Sequence, residues 1–161
     1  MKIEVKTLSS MRIIALRHIG PYPQIGGTFD RLFGLAGPLG VPMRGVLATF
    51  LDDPDTTSPE ELRSDACLIV PDDYELPATA PTELRLDSIA GGDYAVTTHM
   101  GAYDGLRDAW IRFDGQIVSE TGREPGDGAC FEWYVNDCNE VPVEEVRTDL
   151  YVLLKPATSS I

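Results

Sequence analysis

The sequence predicts an α+β fold of two tandem strand-helix-strand-strand modules. Three observations carry that prediction: a long internal repeat, period-two alternation in short segments, and one helical stripe per repeat. Arg17-His18-Ile19-Gly20-Pro21-Tyr22 returns 81 positions later as Thr98-His99-Met100-Gly101-Ala102-Tyr103, with His, Gly and Tyr in register. Ser58-Pro59-Glu60-Glu61-Leu62-Arg63-Ser64-Asp65 returns as Pro142-Val143-Glu144-Glu145-Val146-Arg147-Thr148-Asp149, now 84 positions later. The copies therefore differ by a three-residue insertion. Two long copies are not a solenoid, which stacks more and shorter units. They predict a pseudo-twofold module, whose central groove is the natural place for one ligand.

Ile3, Val5 and Thr7 alternate with polar residues, and Ile13, Ile14 and Leu16 run to a turn at Gly20-Pro21, which gives two strands. Leu84 and Leu86 open the corresponding strand of the second copy. Ala90-Gly91-Gly92-Asp93 turns the chain, and Tyr94-Ala95-Val96 leads into Gly101. After each Gly-x-Tyr comes a helix. Ile25, Thr28, Phe29, Leu32 and Ala36 fall at helical spacing, as do their counterparts Leu106, Ala109, Trp110, Phe113 and Ile117. Gly37-Pro38 ends the first helix, whereas Gly122 and Pro125-Gly126-Asp127-Gly128 form the loop after the second. Each copy closes with two strands, Val46 to Leu51 and Ala66 to Val70, then Cys130 to Val135 and Leu150 to Leu154. The acidic loop inside each pair lacks the alternating oxygen ligands and central glycine of an EF-hand, and is expected to be a solvated hairpin turn. Antiparallel pairs with one helix per copy put both main helices on one face of the sheet. The expected organisation is one domain over 1–161, with half one at 1–70, a linker at 71–82, half two at 83–155 and a frayed tail at 156–161.

Composition excludes several classes of function. The chain of 161 residues is of ordinary single-domain size, and no apolar run reaches the roughly 18 to 20 residues of a membrane span. Its start lacks a secretory signal, and three cysteines, Cys67, Cys130 and Cys138, lack paired zinc-site spacing. A reduced cytoplasm is the expected compartment. A formal net charge of −13 repels phosphate backbones, so direct binding to nucleic acid is not expected. The same field concentrates cationic small molecules, although acidic balance also serves plain solubility. Neither a phosphate-binding glycine loop nor a nucleophile elbow appears, and no cofactor is expected. His18 and His99 occupy equivalent strand ends before glycine. That symmetry assigns them a structural role, and no metal site is expected.

Three stretches carry a family resemblance: Arg17-His18-Ile19-Gly20-Pro21-Tyr22, the Asp52 to Cys67 block, and Phe131-Glu132-Trp133-Tyr134-Val135-Asn136-Asp137 with Thr148-Asp149-Leu150-Tyr151. Over essentially its whole length the chain resembles the GyrI-like (gyrase-inhibitor-like) small-molecule-binding family. That family is related to the effector-binding domains of multidrug-responsive transcription regulators. Because Met1 leads directly into the first strand, the resemblance implies a stand-alone member. The family's Phe-Glu-x-Tyr motif matches Phe131 to Tyr134, and the resemblance makes Glu132 the pocket carboxylate for cationic or polar aromatic ligands.

Residue-level physics is consistent with that role. Glu132 sits among aromatic and apolar neighbours, where burial raises its pKa unless a cation or donors stabilise the ionised form. Its counterpart in the first copy is Ala48, so one half alone carries the charge. Alternation places Cys130, Glu132 and Tyr134 on one strand face and Phe131, Trp133 and Val135 on the other. Tyr134, Tyr151, Trp110 and Tyr103 are the candidate ring walls for an aromatic ligand. Trp110 also occupies the core-stripe position of Phe29, and Trp133 remains a candidate if the face assignment is reversed. The leading expectation is a protein that binds a lipophilic, aromatic, cationic small molecule. The resemblance also implies an alternative, a hydrolase of cyclopropanoid DNA-alkylating toxins, in which Glu132 activates water and Tyr134 or Tyr151 donates to the substrate carbonyl. A further alternative implied by the resemblance is a protein partner of DNA gyrase or of a regulator. The sequence leaves monomer and dimer both open.

Overall fold

Alternation and helical spacing become regular elements in the predicted order. In the computed structural model, which describes residues 1–156, these are β1 (Glu4–Leu8), β2 (Met11–Ile19), α1 (Gly26–Ala36), β3 (Gly45–Phe50), β4 (Arg63–Val70), β5 (Arg85–Ile89), β6 (Gly92–Met100), α2 (Leu106–Thr121), β7 (Pro125–Tyr134) and β8 (Arg147–Leu154). The tail expected beyond Pro156 lies outside the described residues. Neighbouring strands within each unit of the fold run antiparallel, and the fold class is α+β.

The chain forms two compact units, one running from Ser10 to Ile89 and the other joining Met1–Ser9 to the chain from Ala90 onward. In the first unit the strand order is β3-β4-β2-β5. In the second it is β1-β6-β8-β7. The halves expected at 1–70 and 83–155 thus exchange their opening strands. Arg85 of β5 pairs with Ala15 of β2, and Glu4 of β1 pairs with Val96 of β6. These registers are equivalent under the 81-residue offset, so the exchange is reciprocal. Alternation specifies that a segment is a strand and which face it buries; it does not name the neighbouring strand, and here the neighbour belongs to the other copy.

One face of each sheet is covered by its helix. In the second unit Leu106, Ala109, Phe113 and Ile117 of α2 pack on Ala95, Leu150, Val152 and Leu154, with Trp110 and Cys130 at the margin. In the first unit α1 buries Thr28, Leu32 and Ala36, the equivalent stripe, and contacts β2 and β4. The Pro125 to Gly128 stretch, expected as loop, belongs to β7, with a register shift between Pro125 and Cys130. Proline and glycine at the start of a strand mark a bulge as readily as a loop.

The duplicated His-x-Gly motif has a backbone cause. Gly20 and Gly101 hold φ at 132° and 117°, outside the range that side chains favour. Their amides donate to the carbonyls of Leu62 and Val146, each at 2.8 Å, which ties the end of β2 or β6 to the start of the next-paired strand. Replacing either by alanine is expected to cost about 1–3 kcal/mol. Gly27 lies within α1 with open space where a Cβ would stand, so Gly27→Ala is expected to gain up to about 1 kcal/mol. Urea denaturation of the three variants checks the contrast, and equal effects at Gly20 and Gly27 contradict it.

Candidate functional site

Strand β7 presents Cys130, Glu132 and Tyr134 toward α2, because successive side chains alternate and Cys130 packs against the α2 cluster. Glu132 is only 6% exposed. Trp110 Nε1–H donates to its Oε1 at 2.7 Å, and Tyr134 O–H donates to its Oε2 at 2.8 Å. The ring of Tyr103 meets that of Tyr134 edge-on at 5.7 Å. A buried carboxylate, one donor per oxygen and three aromatic rings therefore form one cluster.

The first copy supplies an internal comparison. Where the second copy has Glu132, Tyr134 and Trp110, the first has Ala48, Phe50 and Phe29. Each replacement removes a polar function and keeps the scaffold. Tyr22, the counterpart of Tyr103, packs on Phe50 at 4.8 Å, so the aromatic contact itself is common to both copies. What distinguishes the second copy is an acid together with the two groups that hydrogen-bond it.

Two buried carboxylates show which effect wins. Burial pushes Asp65 upward, but hydrogen bonds from Arg85 and Arg17, the latter at 2.7 Å, overcome it and hold its pKa below the usual carboxylate value. Burial also pushes Glu132 upward, and there it prevails. The donors Trp110 and Tyr134 are neutral, and His99 adds a weaker electrostatic pull only when its ring is protonated. Among the described residues no Lys or Arg forms an ion pair with Glu132. Its charge is hydrogen-bonded yet not neutralised. Burial likewise pushes the neighbouring Cys130 thiol up to about 12 and the Tyr103 hydroxyl up to about 12.

Of the expected ring walls, Tyr134, Trp110 and Tyr103 join the Glu132 cluster and Tyr151 does not. Tyr151 pairs with Phe131 and stacks on it at 4.5 Å, while Glu132 pairs with Leu150. Tyr151 consequently lies on the opposite face, buried with Phe131 and Tyr94 and beside the half-buried Trp133. Hairpin logic gave the adjacent strand correctly but not the register parity, and one residue decides the face. Trp133 faces away with them. In the acidic loops, Asp53 and Asp137 each accept the amide two residues on, at 2.8 Å, and Asp52 and Asn136 accept the amides of Arg63 and Arg147, at 2.9 Å. Those side chains build hairpin turns, as the sequence led us to expect.

The structure is thus a duplicated α+β scaffold with a ring-walled carboxylate in one copy. The chain belongs to the GyrI-like small-molecule-binding domain family, whose model matches residues 1–155. It is 35% identical to a DNA gyrase inhibitor of Yersinia enterocolitica over 138 residues, 85% of this chain and 88% of that protein. Its fold is similar to the crystal structure of the EcmrR C-terminal domain, with a TM-score of 0.73 at 16% identity, over 96% of this chain and 97% of that one. It is also similar to SAV2435 bound to tetraphenylphosphonium, with a TM-score of 0.68 at 14% identity, over 97% and 95% of the two chains. No helix among the described residues is long and apolar enough to cross a membrane.

The raised pKa of Glu132 has a consequence for the unliganded protein. A group whose folded value exceeds its unfolded value of 4.5 lends stability that is complete below 4.5 and is lost as pH rises through the folded value. Glu132→Gln keeps the shape and escapes that loss. Urea denaturation is expected to show the variant gaining on the wild type as pH rises from the unfolded value through the folded one, then holding a constant lead. A stability difference that does not vary with pH contradicts the assignment.

Proposed function

We propose that this protein binds a lipophilic aromatic cation, with Glu132 as its counter-charge and Trp110, Tyr134 and Tyr103 as its ring walls. The observation that carries the reading is the contrast with Asp65: both carboxylates are buried, but among the described residues only Asp65 of the two forms an ion pair with Lys or Arg. A ligand cation supplies at Glu132 what Arg17 and Arg85 supply at Asp65. In a desolvated site that interaction is far stronger than across water. Aromatic faces add cation–π attraction of about 0.5–2 kcal/mol. The tetraphenylphosphonium complex of the similarly folded SAV2435 supports this choice of ligand class.

The decisive measurement compares a cation with a neutral molecule of the same shape. Tetraphenylphosphonium and its neutral isostere tetraphenylsilane are not equally soluble, so smaller pairs such as a quaternary anilinium and the matching tert-butylbenzene are preferable. The cation is expected to raise the Tm of the wild type more than the neutral partner does. Glu132→Gln is expected to weaken the cation by about tenfold or more, the scale of a charge-assisted contact, and the neutral partner little. Equal losses for both ligands refute charge recognition.

A second reading rests on the relative from Yersinia enterocolitica, which is named a DNA gyrase inhibitor. In it the net charge of −13 presents an acidic surface that competes with DNA for the basic surface of the enzyme. Inhibition of gyrase supercoiling by micromolar protein, weakened by added salt, is its expected signature. Full supercoiling activity at that concentration counts against it.

A further inference from the structure

The two histidines of the repeat are not equivalent at Nδ1. In both copies Nε2 faces a carbonyl three residues on, Pro21 O at 3.1 Å for His18 and Ala102 O at 2.9 Å for His99. A carbonyl only accepts, so Nε2 carries the proton and Nδ1 of the neutral ring is an acceptor. At His18 that acceptor is satisfied by the Thr28 hydroxyl at 2.8 Å. The counterpart of Thr28 is Ala109, which has no hydroxyl, and among the described residues the His99 ring hydrogen-bonds Ala102 O alone.

The space around His99 differs from that of its counterpart in the same direction. A Cβ at Gly105 would stand 2.9 Å from His99 Cε1, and the counterpart of Gly105 is Gln24. Two side chains of the first copy are thus pared back around the imidazole of the second. A cavity of about 240 Å³ opens there, lined by His99, Gly105 and Ala109. Met1 and Met100 give it apolar walls, and Thr98 of β6 with Asp108 and Arg112 of α2 completes it. Thioethers make favourable contacts with aromatic ring edges, and the volume suits a single ring.

We propose that this cavity is a second binding site, taking a small aromatic compound whose hydroxyl or N–H donates to His99 Nδ1 in place of the hydroxyl that Thr28 supplies in the first copy. The proposal does not rest on the reading of Glu132. Its register position separates the two: His99 pairs with Thr148, which pairs with Tyr134, so one strand lies between His99 and the strand that carries Glu132.

Phenol and anisole test it, since both fill the cavity and only phenol donates. With the protein labelled by ¹⁵N, long-range proton–nitrogen spectra resolve the ring nitrogens of the two histidines. Phenol is expected to shift His99 Nδ1 and leave His18 unmoved, while anisole binds about fivefold more weakly, the loss of one neutral hydrogen bond. Ala109→Thr rebuilds the arrangement found at His18, and is expected to abolish the response to phenol. Glu132→Gln is expected to preserve it, which separates this site from the proposed cation site. Equal responses to phenol and anisole, or none at His99 with millimolar phenol, overturn the proposal on the wild type alone, whether or not the variants fold.

Discussion

A carboxylate kept under a helix with neutral donors, and with no Lys or Arg ion pair among the described residues, is the constraint around which the second unit is arranged. Asp65 shows that this chain can neutralise a buried acid when structure alone is at stake, since two arginines surround it. At Glu132 the same need is met only in part. Trp110 and Tyr134 satisfy one lone pair on each oxygen, which prevents the full penalty of an orphaned buried charge. The remaining penalty shows as an elevated pKa, and is the kind of cost that functional sites impose on the fold. It also fixes geometry. A side chain gripped at both oxygens has little rotamer freedom left, which is the preorganisation that the proposed binding role needs.

Duplication explains how such a site is tolerated. The first copy carries Ala48, Phe50 and Phe29 at the corresponding positions, an apolar set without a buried charge. Both copies keep the elements that build the scaffold: the positive-φ glycine after the histidine, its hydrogen bond to the next-paired strand, and the side-chain caps of the acidic loop. Of the departures between the copies, Glu132 and Tyr134 in place of Ala48 and Phe50 face α2, and Trp110 in place of Phe29 lies on it. A repeat compared with itself in this way distinguishes groups needed for folding from groups added to one copy.

Much of this was legible in the sequence. The repeat gave the α+β class, the strands and helices fell where alternation and helical spacing put them, and face alternation along β7 set Glu132 beside Tyr134. Trp110 was readable both as core and as site; its ring borders the α2 core while its N–H holds Glu132. What failed depended on pairing between distant segments. Tyr151 was placed on the correct neighbouring strand but the wrong face, because the register of β7 against β8 is a tertiary property. The exchanged strands β1 and β5 were assigned to their own copies, because nothing local in Glu4–Leu8 or Arg85–Ile89 names a partner. The asymmetry of the histidines was hidden for the opposite reason. Matching His18 with His99 invited a common structural role, which holds at Nε2, and the informative change lay ten residues away, in Ala109 opposite Thr28.

Net charge and local site act on different scales. The overall charge of −13 draws cations toward the surface, but between exposed groups it is screened within about 8 Å at physiological salt. Such a field raises local concentration without telling one cation from another. Glu132 is buried, where screening is weak, and on the proposed reading a guest must shed water to reach it. A hydrophilic cation such as potassium loses more hydration there than one carboxylate returns, whereas a lipophilic aromatic cation has little hydration to lose and gains contact with three rings. On the proposed reading, selectivity comes from that difference in desolvation. The acidic surface then sets how often a guest arrives, and the buried glutamate sets which guests stay.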